Sequence, residues 1–314
     1  MTVTLNDIQA AATRIEGYVR RTPILRTEGL RQPFTEAELI LKLEQLQVTG
    51  SFKARGASSK LTSLDDAAVK RGLITASGGN HGLGVAYAGW RAGVPTVIYL
   101  PGNTPPVKAE KLREWGARVE MHGDVWDDAN AEALQVAKRD GLTYVHPFAD
   151  PAVIAGQGTI ALELDADLDR LDTLLVSIGG GGLMAGVATG IKALRPDVKV
   201  IGVEPIGAPT LYQSLLAGRP VMLEAIETRA NTLAPRQSEK LNVDLISAAV
   251  DHIVLVDDDA MRDAARWLWS ECAIAAELSG AASVAALKAG AYDAQKGETV
   301  CALVCGAGTD GISG

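Results

Sequence analysis

Short apolar segments alternate with helix-length segments along most of this chain. The segment 174–178 is apolar at every position but one, which is typical of a strand covered on both faces. Regular alternation of strands and helices favours a mainly parallel sheet with helices packed against it. The sequence therefore predicts an α/β fold. The predicted strands are 38–44, 73–76, 95–100, 118–121, 143–146, 173–178, 199–204, 252–256 and 299–305. The predicted helices include 80–91, 105–115, 126–139, 183–194 and 257–271.

The charge balance excludes some classes of protein. Asp and Glu number 38 against 30 Lys and Arg, which gives a formal net charge of −8 at pH 7. General nucleic-acid binding needs clustered positive charge, and the sequence contains no such cluster. The uncharged stretch 173–191 contains six glycines, so it predicts a strand, a loop and a helix instead of a membrane span. We expect neither nucleic-acid nor membrane association.

The cysteines and the N-terminal region indicate a compartment. An odd, small number of cysteines (three) is typical of a reducing environment. Arg14 and Glu16 interrupt the region where a secretory signal would be apolar. We therefore expect a cytoplasmic protein. Cys301 and Cys305 lie about 13 Å apart along a predicted strand, too far for a disulfide. No His or Cys spacing is typical of zinc ligands, so we predict no metal site.

Three glycine-rich strings could bind phosphate, and their contexts differ. The string 306–311 has GxGxxG spacing without a following helical segment, and 156–161 has GxGxxA spacing without a preceding strand. Neither context favours dinucleotide binding. In 177–186, four consecutive glycines separate an apolar strand from a helix. Backbone N–H groups can turn inward there beside the positive end of the helix. This string predicts a phosphate site, although a tight strand–helix connection is the alternative.

Two further segments could carry chemistry. Lys53 lies in TGSFKARGA, beside Phe52 and between a predicted strand and a helix. Burial lowers the pKa of a lysine and makes its amine a candidate for Schiff-base chemistry, but these residues alone favour a surface lysine. In ASGGNHG (76–82), Ser77 and Asn80 could cap a helix, and the turn's N–H groups could hold a carboxylate.

Together these segments resemble one family. SFKARGA, SGGNHG, HPFADPAVIAGQGT and SIGGGGLMAG occur in the order and spacing of fold-type II pyridoxal-phosphate (PLP) enzymes of the serine/threonine dehydratase and serine racemase group. The strings CGAGTDG (305–311) and RTPIL (21–25) fit as well. The resemblance implies a fold like the tryptophan synthase β subunit, with two open, twisted, mainly parallel sheets flanked by helices. It implies a homodimer with a large PLP-binding domain (1–64 and 151–314) and a small domain (65–150) that closes over the substrate.

The resemblance also implies roles for individual residues. Lys53 would hold PLP as a Schiff base, with Phe52 packed beside it. Asn80 would hydrogen-bond the cofactor's 3-hydroxyl oxygen, and Cys305 would face its pyridine nitrogen. Backbone N–H groups would bind the 5′-phosphate, namely those of Gly179, Gly180, Gly181, Gly182 and Leu183. A loop would grip the substrate carboxylate, and its members are Ser77, Gly79, Asn80 and His81.

This sequence departs from the family pattern at three places. Gly78 stands where racemases of the group carry a catalytic Ser. Thr210 replaces the Asp of the family's cation site, at which Glu204 aligns. The string ANTLAPR (230–236) replaces the common ADG. Its Arg236 could contact an unusual substrate side chain or could be a solvated surface residue.

The resemblance implies a dehydratase that converts L-threonine or L-serine to a 2-oxo acid and ammonia. A weakly polar Cys305 does not force protonation of the pyridine nitrogen, which favours β-elimination over transamination. The alternatives are a serine racemase, or a dehydratase for 3-hydroxyaspartate or phenylserine. A non-catalytic PLP-binding protein is the alternative from another class.

Overall fold

The computed structural model describes residues 2–312, and within that range it contains two β-sheets flanked by α-helices. The strands are β1 (Ile24–Arg26), β2 (Glu38–Leu43), β3 (Leu73–Ala76), β4 (Thr96–Leu100), β5 (Arg118–Met121), β6 (Thr143–Tyr144), β7 (Thr173–Ser177), β8 (Lys199–Pro205), β9 (His252–Val256) and β10 (Thr299–Val304). The helices are α1 (Leu5–Arg14), α2 (Lys53–Thr62), α3 (Asp66–Arg71), α4 (Asn80–Ala92), α5 (Pro106–Glu114), α6 (Trp126–Asp140), α7 (Pro151–Asp167), α8 (Gly182–Leu194), α9 (Thr210–Ala217), α10 (Lys240–Ala249), α11 (Asp258–Cys272) and α12 (Leu278–Lys288).

The two sheets use different parts of the chain. The six-stranded sheet has the order β1-β2-β10-β7-β8-β9, and the four-stranded sheet has the order β5-β4-β3-β6. Strand β1 pairs antiparallel with β2, whereas the other neighbouring pairs in both sheets are parallel. Strands β7 and β10 are buried at every residue, as expected for parallel strands covered on both faces. The predicted α/β class with two mainly parallel sheets is confirmed.

Glycines in α7 allow three helices to pack closely. A Cβ on Gly156 would lie 2.6 Å from the carbonyl oxygen of Arg55 in α2. A Cβ on Gly158 would lie 2.9 Å from the carbonyl oxygen of Gly186 in α8. The GxGxxA string is therefore a helix-packing feature. Among the helices within residues 2–312, none combines the length and the hydrophobicity needed to cross a lipid bilayer.

A buried network of paired charges ties α2 to β2 and α7. The guanidinium of Arg55 donates to both carboxylate oxygens of Glu44 at 2.8 Å and to Glu163 Oε1 at 2.7 Å. The ammonium of Lys42 donates to Glu163 Oε2 at 2.6 Å. The side chains of Arg55 and Lys42 are 1% and 0% exposed, so each needs its partner to offset the cost of losing water. The network fixes the first turn of α2, which begins at Lys53.

Candidate active site

A cleft of about 270 Å³ opens between the two sheets. One wall consists of Gly78, Gly79, Asn80, Leu83, Lys108 and Lys111, and the other of Ala230, Asn231, Thr232, Glu277, Ser279 and Asp310. The loops that follow β3, β7 and β10 start at the carboxyl ends of parallel strands, where ligands of open α/β sheets bind.

Lys53 is the first residue of α2, directly after Phe52. Its Nζ donates a hydrogen bond to the carbonyl oxygen of Pro147 at 2.7 Å and lies 5.2 Å from the centroid of the Phe52 ring. Burial lowers the pKa of the Lys53 amine to about 8, against the opposing effects of Cys305 and Glu277. An appreciable fraction of this amine is therefore neutral, and nucleophilic, near neutral pH.

The tetraglycine loop, Gly179 to Gly182, connects β7 to α8. Gly181 has a φ of 92°, in the left-handed region that favours glycine, and no side chain caps the helix that follows. The carbonyl of Gly180 accepts hydrogen bonds from Ser238 Oγ at 2.9 Å and from Asn242 Nδ2 at 2.6 Å. These two hydrogen bonds fix the backbone of the loop at Gly180. The uncapped first turn of α8, which includes Leu183, leaves N–H groups that an anion would satisfy.

Cys305 follows β10 and is buried next to the end of β7. Its sulfur accepts from Ser177 Oγ at 3.3 Å and donates to the carbonyl of Ser279 at 3.5 Å. Burial raises the pKa of the Cys305 thiol to about 12. The thiol is therefore neutral at physiological pH. Cys301 and Cys305 are both free thiols.

Asn80, at the start of α4, is held by a carboxylate that sequence reasoning missed. Its Nδ2 donates to Glu277 Oε1 at 2.9 Å. The same oxygen accepts from Ser279 Oγ at 2.6 Å and from Thr232 Oγ1 at 3.4 Å. Burial raises the pKa of Glu277 above its ordinary value. A single acid before a small-residue helix gives no signal in a sequence, so only the fold reveals this cluster.

The loop between β3 and α4 brings only some of its predicted ligands to the cleft. Gly79 faces open space, and its N–H donates to Ser77 Oγ at 3.3 Å. The ring of His81 is buried, with Nε2 3.1 Å from Thr75 Oγ1 and 3.0 Å from the carbonyl oxygen of Val145. Burial lowers the pKa of His81 to about 3. The His81 ring therefore stabilises the small sheet, and the loop offers its backbone and Asn80 to the cleft.

Two further residues singled out from the sequence have structural partners. The carboxylate of Glu204 accepts from the N–H groups of Leu211 at 2.8 Å and Tyr212 at 2.7 Å, so it caps α9. The exposed Arg236 donates to the carbonyl oxygen of Leu223 at 3.0 Å and is not among the residues that line the cleft. The interpretation of Arg236 as a surface residue fits this geometry better than contact with a substrate.

Similarity to known proteins shows which family has this arrangement. Residues 15–306 match the family described as pyridoxal-phosphate dependent enzymes. The chain belongs to this family. The L-threonine ammonia-lyase of Thermotoga maritima is 40% identical over 285 residues, which cover 91% of this chain and 71% of that protein.

Solved structures of the same fold cover nearly the whole chain. The processed form of threonine deaminase isoform 2 from Solanum lycopersicum has a TM-score of 0.92 and 34% identity, over 98% of this chain and 87% of that one. Maize serine racemase has a TM-score of 0.91 and 31% identity, over 98% and 94%. The resemblance to the dehydratase and racemase group is thereby confirmed.

The cofactor of this family is PLP. Lys53, the start of α8 and Cys305 are not among the residues that line the cleft, but their chemistry fits this cofactor. Lys53 supplies an amine with a lowered pKa, as covalent attachment to an aldehyde requires. The uncapped N-terminus of α8 suits a phosphate. Cys305 offers a neutral thiol, which suits an uncharged pyridine nitrogen.

Proposed function

We propose that this protein is a PLP-dependent dehydratase that removes water from L-threonine or L-serine and yields a 2-oxo acid and ammonia. The names of its relatives support the substrate class. One observation carries the choice of reaction. The unprotonated amine of Lys53 can accept the Cα proton, whereas Gly78, which lines the cleft, has no side chain to donate a proton back. Such a site favours elimination over racemisation.

Each functional group of PLP has proposed binding residues in this chain. Lys53 binds the cofactor covalently, with Phe52 beside it. Asn80, oriented by Glu277, donates to the 3-hydroxyl oxygen, and Cys305 faces the pyridine nitrogen. Backbone N–H groups bind the phosphate, and these belong to Gly179, Gly180, Gly181, Gly182 and Leu183. The loop of Ser77, Gly79, Asn80 and His81 binds the substrate carboxylate, with His81 contributing through its backbone.

The reaction then depends on Lys53. Bound PLP supplies an electron-withdrawing ring next to the Cα of the amino acid. With the substrate amine bound in its place, the amine of Lys53 would take the Cα proton as a general base. Its pKa of about 8 keeps part of this amine unprotonated at neutral pH. The β-hydroxyl would leave as water, with one proton gained for the one that Lys53 takes from Cα, and the resulting unsaturated amine would react with water to give the 2-oxo acid and ammonia.

The cleft also supports the proposed division into domains. Its two walls belong to residues 78–111 on one side and to 230–310 on the other. We assign 65–150 to a small domain and 1–64 with 151–314 to a large one. Movement of the small domain toward the large one would close the cleft over the substrate.

The assembly and compartment are proposals too. Ile206, Leu216 and Met222, near α9, are each more than half exposed. Exposed large apolar side chains so close together in the sequence suit burial against a second copy, and we propose a homodimer. The free thiols of Cys272, Cys301 and Cys305 support a reducing, cytoplasmic location.

Release of 2-oxo acid tests the proposed reaction. L-threonine and L-serine should both be converted, and each molecule converted should release one 2-oxo acid and one ammonia. Assays with 3-hydroxyaspartate and phenylserine under the same conditions compare the alternative substrates. Turnover of 3-hydroxyaspartate or phenylserine without turnover of L-threonine or L-serine would contradict the proposed substrate class. The absence of any elimination would contradict the reaction itself.

Introduction of a hydroxyl at Gly78 should shift the reaction toward racemisation. Gly78 has no positive φ, and a Cβ there would lie 3.3 Å from Leu100 Cδ2 and 3.4 Å from Thr104 Cγ2. Both are mobile ends of side chains, so Gly78→Ser should fold with a small local adjustment. One well-placed acid contributes on the order of 10²–10⁴-fold, so D-serine formation from L-serine should rise measurably. Chiral chromatography of the product measures it.

Gly78→Ala is the matched control, because it adds the Cβ without the hydroxyl. It should form as little D-serine as the unmodified protein. Substantial D-serine from the unmodified protein, or equal racemisation by the Ala and Ser variants, would contradict the assignment.

A further inference from the structure

The turn 146–149 connects β6 to α7, and the proposed mechanism gives it no role. The ring nitrogen Nδ1 of His146 accepts hydrogen bonds from the N–H groups of Phe148 at 3.2 Å and Ala149 at 2.8 Å. An acceptor at Nδ1 requires the neutral ring to carry its proton on Nε2. His146 thus closes the turn with two hydrogen bonds that only an unprotonated Nδ1 can accept.

This turn contacts both halves of the proposed PLP site. The carbonyl oxygen of Pro147 accepts from Lys53 Nζ at 2.7 Å. The Phe148 ring is so close to the tetraglycine loop that a Cβ on Gly180 would lie 2.2 Å from a ring carbon. A Cβ on Gly182 would lie 2.4 Å from the carbonyl oxygen of Phe148. A shift of this turn would therefore move the Pro147 carbonyl, which accepts from Lys53, and Phe148, which packs against the tetraglycine loop.

The surroundings of His146 keep its ring neutral. Burial lowers the pKa of His146 to about 4, and the nearby charge of Lys53 adds to this effect, whereas Asp150 opposes it. Asp150 itself caps α7 through the N–H of Ala152 at 2.8 Å and pairs with Lys60 at 2.7 Å. At neutral pH, Nδ1 is therefore available as an acceptor for both N–H groups.

We propose that His146 is a positioning residue of the PLP site. Its Nδ1 holds the turn 146–149 in the conformation that places the Pro147 carbonyl against the Lys53 amine and Phe148 against the tetraglycine loop. This inference rests on the proposed roles of Lys53 and the tetraglycine loop in binding PLP. His146 acts through the backbone and through Lys53, without contact with the substrate.

Two variants separate the acceptor from the ring. His146→Asn keeps an acceptor, because its Oδ1 is bonded to Cγ as Nδ1 is in histidine, but it loses the ring. His146→Phe keeps a ring of similar shape and loses the acceptor. The dissociation constant of PLP is measured by titrating PLP into protein from which it has been removed. Thermal unfolding of the same samples reports stability.

The Phe variant should bind PLP about tenfold more weakly, because two partly buried N–H groups lose their acceptor. The Asn variant should bind PLP nearly as the unmodified protein does. A role in packing alone would instead lower stability and PLP affinity most where the ring is lost. Weaker binding by the Asn variant than by the Phe variant, equal loss in both, or no loss in either would overturn the proposal.

The tautomer of His146 provides a measurement that needs no folded Phe variant. Nitrogen NMR of ¹⁵N-histidine-labelled protein should show Nδ1 unprotonated and Nε2 protonated, with the signal assigned by its absence in His146→Asn. The opposite tautomer would overturn the proposal. Borohydride reduction of the unmodified protein distinguishes failure of the proposed PLP site from failure of the proposed role of His146. PLP fixed to another lysine refutes the site itself, whereas PLP on Lys53 with indistinguishable variants refutes only the role of His146.

Discussion

Replacement of Lys53 by alanine is expected to abolish covalent PLP binding and to lower dehydratase turnover by at least about 10⁴-fold. The variant removes both the nucleophile and the general base. The visible absorption of protein-bound PLP should disappear, and 2-oxo acid release from L-threonine should fall to the background rate. Because Lys53 contacts the Pro147 carbonyl and no carboxylate in the described structure, the variant should remain folded.

Lys70→Ala is the control for a general effect of removing a lysine. Lys70 is exposed on α3, outside the cleft. This variant should keep the absorption of bound PLP and the turnover of the unmodified protein. Retained covalent PLP or retained turnover in the Lys53 variant would show that another lysine is the nucleophile.

Replacement of Arg55 by methionine is expected to destabilise the protein by about 3–5 kcal/mol, because it leaves the buried carboxylate of Glu44 without a charged partner and that of Glu163 with Lys42 alone. Glu44 and Glu163 both depend on this guanidinium. The free energy of unfolding in urea measures the loss. Arg26→Met is the matched control, since Arg26 pairs with Glu38 on the surface, where such pairs contribute about 1 kcal/mol or less. Equal losses in the two variants would contradict the role of the buried network.

The same network predicts a dependence of stability on pH. Burial raises the pKa of Glu163, but Arg55 and Lys42 outweigh this effect and hold its pKa below the ordinary value of 4.5. The contribution of this carboxylate to stability is therefore complete above pH 4.5 and is lost as the pH falls through the lower pKa of the folded state. Urea unfolding would be measured at a series of pH values. The difference in the free energy of unfolding between the unmodified protein and Arg55→Met should become smaller as the pH falls through that range.

Much of the fold is predictable because buried parallel strands are written as continuous apolar runs. Strands β3, β5 and β9 have the predicted bounds, and most others differ by one or two residues at an end. Strand β1 was not predicted, because it has three residues, none of them fully buried. Helix α7 has buried residues on every side and no single apolar face, so helical periodicity does not predict it.

The site was predictable only where local motifs describe it. Lys53 and the tetraglycine loop stand at strand–helix junctions that the sequence itself marks. The partner of Asn80 is Glu277, 197 positions away, and no local pattern joins them. Lys42 was the one available signal for the buried network, since a charge inside an apolar strand requires a buried partner. The sequence does not identify its partner Glu163, however, because that pairing depends on how α7 packs against β2.

Covalent trapping of PLP tests the central claim most directly. Purified protein loaded with PLP would be reduced with borohydride, digested and analysed by peptide mass spectrometry. We expect the reduced cofactor to be attached to Lys53 alone. Attachment to a different lysine, or the absence of any attached cofactor, would contradict it.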